Sequence, residues 1–166
     1  MIEFALFFVF PFAMAFAAAT DLLTMKIPNL LSIGLGVAFL VIAPVAGVSG
    51  QEMLMHLAAG ALMLVVGILL FALGWIGGGD GKILAVASLW LGFDHLVAFL
   101  ALVAIFGGAL ALVILAYRRV PAGAFPLPDW ALRLHAQGEA MPYGVAIAAG
   151  ALIIYPSTGW YAALAA

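Results

Sequence analysis

Two aspartates carry the most chemical promise in this chain: Asp21, at the end of the first apolar stretch, and Asp80, directly after Gly77-Gly78-Gly79. Only seven of the 166 residues are acidic. An ionisable side chain within a membrane-length apolar segment is costly enough to imply a use. Two carboxylates brought together cannot both ionise easily, and they hold one proton between them. The ionised member can then take a proton from water while the protonated member polarises a carbonyl. That chemistry needs neither metal nor thiol, and no metal or cofactor is expected here. Cysteine is absent, which excludes disulfides, thiolate catalysis and cysteine-ligated zinc. Taken singly, each aspartate has a plainer reading: Asp21 as a solvated residue at a helix end, Asp80 as the partner of Lys82 in a structural ion pair. Neither accounts for the glycine run beside Asp80.

The other polar residues offer less. Glu52 and His56 share a helix face at i,i+4, but no third ligand completes a metal site, and they read as a surface pair. Gly81-Lys82 hints at a phosphate loop, yet Ile76 stands where its first glycine is required and Ile83 replaces the Ser/Thr. His95 and His135 are isolated and read as interfacial. The formal charge of −2 and the lack of a basic block give no reason to expect nucleic acid as a partner.

The elements that must position the aspartates follow from composition. Apolar residues make up 69% of the chain and charged residues 7%, against about 25% charged in a soluble domain. Too few polar side chains exist to cover a water-facing surface, so lipid is the expected solvent. Six apolar segments are long enough, or nearly so, for transmembrane helices: 3–20, 30–48, 53–76, 81–94, 96–117 and 142–164. The predicted fold is all-α, a polytopic membrane protein of about six spans in a single domain covering 1–166. The first segment resembles a secretory signal in its Ala17-Ala18-Ala19, but no Lys or Arg precedes it, and a retained helix is expected. The one long connection, 118–141, holds Pro121, Pro126 and Pro128; Trp130, Leu132 and Leu134 suggest that it rests on the membrane surface. Pro44 and Pro156 are expected to kink their spans. Gly74 with Gly78, or Gly144 with Ala148, would permit close helix packing.

Charge placement orients the bundle. With both termini outside and six spans threaded, Lys26, Lys82, Arg118, Arg119 and Arg133 all fall on the cytoplasmic side, as the positive-inside rule requires. Glu3, Glu52, His56, Asp94 and His95 fall outside. The fourth segment is short: Asp94 follows Asp80 by 14 positions, about 21 Å of helix against a hydrocarbon core near 30 Å. Asp80 then lies inside the membrane near its cytoplasmic face, and Gly77 to Gly79 should be non-helical backbone beside a wet pocket. Asp21 ends the first span on the same side.

At this point the residues meet a family. Asp21-Leu22-Leu23-Thr24-Met25-Lys26-Ile27-Pro28-Asn29 resembles the segment of type IV prepilin peptidases that joins the first two spans, an aspartate followed by an Ile-Pro-Asn turn. Gly77-Gly78-Gly79-Asp80 is similar to the Gly-x-Gly-Asp signature of this class of membrane aspartyl proteases, which includes the preflagellin peptidases. Pro142-Tyr143-Gly144-Val145-Ala146-Ile147-Ala148 resembles the start of the last span in the short prepilin peptidases of tight-adherence (Flp-type) pilus systems. Together these motifs extend over essentially the whole chain. The resemblance implies a leader peptidase of the inner membrane with Asp21 and Asp80 as its catalytic pair. Gly77, Gly79, Pro28, Asn29, Lys82 and Tyr143 would support them. Its substrates would be prepilins or pseudopilins, cut at the cytoplasmic face just ahead of their apolar helix. The long members carry a cytoplasmic insert with Cys-x-x-Cys motifs and also N-methylate the new terminus; this chain has neither insert nor cysteine, so peptidase activity alone is expected. The rivals are a preflagellin-type peptidase and, from another class, a small proton-coupled transporter, since intramembrane aspartates also relay protons; no inverted repeat supports the transporter.

Overall fold

Long apolar runs can satisfy their backbone groups in lipid only within themselves, and helices result. The computed structural model describes residues 2–119, 127–135 and 141–160, and every regular element among them is helical. The order is α1 (Ile2–Thr24), α2 (Asn29–Val45), α3 (Gly50–Ala72), α4 (Gly78–Tyr117), α5 (Asp129–His135) and α6 (Tyr143–Ile154), followed by a 3-10 turn at Tyr155–Ser157. The side chain of Glu3, Pro121, Pro126 and residues 161–164 of the last predicted segment lie outside the described residues.

Local chemistry sets the helix ends. Ser49 opens α3 with a reciprocal cap: its hydroxyl accepts from the Glu52 amide at 3.3 Å, and its own amide donates to Glu52 Oε2 at 2.9 Å. Glu52 is therefore a capping residue as well as the charged neighbour of His56. Gly74, at φ +73°, closes the same helix, its amide and that of Trp75 donating to the carbonyls of Phe71 and Leu70. The expectation that Gly74 packs a helix pair is thus corrected. Close packing occurs instead where Gly67 of α3 meets Gly81 of α4: a Cβ on Gly67 would stand 2.9 Å from the Gly81 Cα.

The two segments predicted as 81–94 and 96–117 are one helical stretch, broken at Gly92 (φ 72°, ψ 178°) rather than at Asp94-His95. Beyond Gly92 the chain doubles back, because Leu84 and Leu100 line one pocket. Along α6, Tyr143 then meets Gly107 and Gly150 meets Val103. The glycine run is also corrected: Gly77 is the N-cap of α4, and Gly78 and Gly79 are already helical. Pro44 lies in the last turn of α2, which ends one residue later, and Pro156 falls in the 3-10 turn that ends α6, so each sits at a terminus instead of a kink.

Far from the aspartates, Phe10, Trp90, Phe39 and Trp160 form a buried aromatic cluster with centroids 5.2–5.9 Å apart. Both indole N–H groups find acceptors, Trp90 on Leu35 O at 3.1 Å and Trp160 on Trp90 O at 2.7 Å. Outside this core the surface is apolar, with Val97 80% and Leu30 79% exposed. By length and composition α3 and α4 can cross a membrane, while α1 from Phe8 onward, α2, and α6 with its following turn are shorter apolar helices. Such a surface suits lipid.

Candidate active site

Asp21 lies in the last turn of α1, and the chain leaves that helix through Met25 at φ 55°. Positive φ is uncommon for a side-chain-bearing residue, and here it turns the chain sharply toward Ile27. Pro28, extended at φ −62° and ψ 134°, then starts α2 at Asn29. Asp80 is held by its own helix start: its Oδ2 accepts the Gly77 amide at 3.1 Å, a cap across the first turn of α4. The third contributor is the start of α6. The amide of Gly144, in its first turn, donates to Asp21 Oδ2 at 2.7 Å, and it also faces the Asp80 carboxylate. Helix starts leave such amides unpaired within the helix, with partial positive charge directed at an anion.

The two carboxylates therefore meet across one cavity of about 630 Å³, lined by Thr20, Asp21, Thr24 to Asn29, Gly77 to Asp80 and Met141. They are close enough to feel one another's charge. Both are buried, at 5% and 7% exposure. The volume falls within the usual range for ligand sites. Close approach depends on missing side chains. A Cβ on Gly144 would stand 2.7 Å from Ile27 Cδ1 and 2.8 Å from Asp21 Oδ2, and one on Gly79 would stand 3.2 Å from Ile27 Cβ.

Of the residues singled out in the sequence, the structure brings Asp21, Asp80, Gly77, Gly79, Pro28 and Asn29 into this cavity. Lys82 stands beside it: its Nζ donates to Asn29 Oδ1 at 2.8 Å, so the ammonium serves Asn29 and not an ion pair with Asp80. Tyr143 is the displaced one. Its ring covers Gly107 and lines a different pocket, with Met63 and Val66, while its neighbour Gly144 makes the contact with Asp21. Sequence reasoning named Gly144 only in its motif and as a packing glycine, and missed Thr20 and Met141. The Pro-Tyr-Gly motif did mark the right turn of chain, but a backbone amide leaves no signature of its own.

The connection returns to this end of the bundle. Tyr117 Oη donates to Ala131 O at 3.2 Å, Arg118 Nε to Leu134 O at 2.8 Å, and Arg133 Nη2 to the carbonyl of Leu23 beside Asp21. Ala131 and Leu134 are buried against the protein, so α5 docks on the bundle, with Leu132 exposed and Trp130 half-buried. Among the described residues no group of three or more His, Asp or Glu could hold a metal ion.

The sequence matches the family model of the type IV leader peptidases over residues 8–112, a stretch that contains both aspartates. The chain belongs to the type IV leader peptidase family. Comparison with curated proteins and with solved structures gives no match. The matched stretch ends before α6, so the Gly144 contact is a feature seen in the structure of this leader peptidase family member and not in the matched region.

Proposed function

We propose that this protein is an aspartic-type prepilin leader peptidase of the inner membrane, in which Asp21 and Asp80 act as one catalytic unit. The observation that carries the reading is the meeting of two buried carboxylates from separate helices in one cavity, within a chain of a peptidase family. The ionised carboxylate removes a proton from water as its oxygen adds to the scissile carbonyl carbon. The protonated partner gives its proton to the carbonyl oxygen. The tetrahedral intermediate then collapses: the C–N bond breaks, the amine leaves with a proton, and the dyad regains its single shared proton. The Gly144 and Gly77 amides hold the carboxylates in place for both steps.

The substrate class is the prepilin or pseudopilin, cut ahead of its apolar helix at the cytoplasmic membrane face, and the Pro-Tyr-Gly segment favours the Flp type. Lys26, Lys82, Arg118 and Arg133 all lie at the aspartate end of the bundle, beside the cavity, Asn29, α5 and Leu23. Glu52, Asp94 and His95 line a cavity at the opposite end, and this asymmetry supports a cytoplasmic site. Purified protein incubated with a candidate prepilin should yield the shortened pilin. Supplied with a methyl donor, it should leave the new N-terminus unmethylated; a product heavier by one methylene would refute that part.

A further inference from the structure

We propose that the membrane-facing groove between α2 and α3 seats the apolar helix of the peptide substrate while its scissile bond lies at the aspartates. This rests on reading the aspartate cavity as a peptidase site, and it adds where the uncut remainder of the substrate lies.

The groove encloses about 510 Å³. Ser32 and Ile33 of α2 form one wall, Leu57 and Ala61 of α3 the other, and Ala85 of α4 the floor. It exists because α3 is drawn onto α4 by close glycine contacts at Gly67 and Gly60, leaving α2 to diverge on the far side. Small residues on wall and floor let a helix approach closely, the usual means of helix association in lipid. The eight residues from Lys82 to Leu89 along the floor span about 10 Å, or two helical turns.

Two observations select a peptide as occupant. Asn29 lines both this groove and the aspartate cavity, so a chain leaving the carboxylates past Asn29 enters the groove directly. Lys82, bonded to Asn29 Oδ1, places polar donors at that junction, where a substrate backbone must pass from an extended scissile segment into its helix.

The absence of native cysteine makes the test clean. Single variants Ile33→Cys and Ala61→Cys, in an Asp80→Asn background that holds substrate uncut, are oxidised with a prepilin carrying one cysteine in the first two turns of its apolar helix. Val97→Cys and Leu112→Cys, exposed on the second half of α4, are the controls. Disulfides should form at Ile33→Cys and Ala61→Cys and not at the controls; equal or stronger cross-linking at the controls overturns the proposal. In the otherwise wild-type protein, Ala61→Phe should raise KM for full-length prepilin roughly tenfold, the low end for a misfit in a packed site. A short peptide spanning the scissile bond but lacking the apolar helix should be cut unchanged. If Ala61→Phe slows both substrates alike, and the loss varies with the acyl-chain length of the vesicles, the groove is a lipid site and the proposal fails. If the wild type cuts neither substrate, the peptidase reading itself fails; if it cuts both and Ala61→Phe leaves both unchanged, only the groove assignment falls.

Discussion

Gly144 has no side chain to offer, and what reaches Asp21 is its amide, 2.7 Å away. A methyl group there would press on both Ile27 Cδ1 and Asp21 Oδ2, pushing the carboxylate off its line toward Asp80. Gly144→Ala should therefore lower kcat by roughly a hundredfold, the scale of an ångström-level misplacement. KM should change little, and membrane insertion should be normal. Steady-state kinetics on detergent-solubilised protein would check this, and a kcat close to wild type would remove Gly144 from the machinery. The same position marks a limit of sequence reading. Asp21, Asp80, Pro28 and Asn29 were legible because their side chains carry the pattern. Tyr143 drew attention for the same reason, although its ring belongs to the contact with Gly107. Spacing arguments see side chains, and the decisive donor beside Tyr143 is backbone.

The hinge of α4 raises the same issue one level up. Apolar periodicity measures how long a helical stretch is, but the polar pair Asp94-His95 concealed the true break two residues earlier. At Gly92 the backbone takes φ 72° and ψ 178°, a region open almost only to glycine that costs a side-chain-bearing residue about 1–3 kcal/mol. A Cβ there would also stand 2.9 Å from His56 Cε1. The interruption leaves nearby carbonyls without helical partners, and side chains answer them: His56 Nδ1 meets Leu89 O at 2.7 Å and Trp160 Nε1 donates to Trp90 O at 2.7 Å. His56 is thus committed to closing the break, which no i,i+4 argument about Glu52 could reveal. Gly92→Ala should lower the midpoint of thermal unfolding in detergent by several degrees, as expected for a loss of about 2 kcal/mol in a chain of this size. An unchanged midpoint would show that α4 bends there without need of glycine.

At the scale of the molecule, the helices of the described residues were legible from the long apolar runs, with 7% charged residues pointing to lipid as their solvent. The glycine run was read as broken backbone, yet Gly78 and Gly79 are helical; their small size, not their flexibility, lets Ile27 approach Gly79. The proposed orientation places both termini in the periplasm and residues 118–141 in the cytoplasm, on the side of all five basic residues. Reporter fusions at the C-terminus should be active only as periplasmic reporters; a cytoplasmic C-terminus would overturn the six-span threading. The central claim is that Asp21 and Asp80, 59 positions apart in sequence, act as one unit across the shared cavity. A coupled pair titrates together, so the pH–rate profile should show two apparent pKa values that belong to the pair. The most direct test is leader removal by Asp21→Asn, Asp80→Asn and the double variant, with Asp94→Asn and Glu52→Gln as controls at the opposite end. Asparagine keeps nearly the shape of aspartate and can still accept a hydrogen bond through its one oxygen, but it cannot ionise or exchange the shared proton. Each single variant should insert and fold normally and yet abolish cleavage, the double should lose no more than either single, and the controls should stay active. Cleavage of prepilin near the wild-type rate by either single variant would contradict the account.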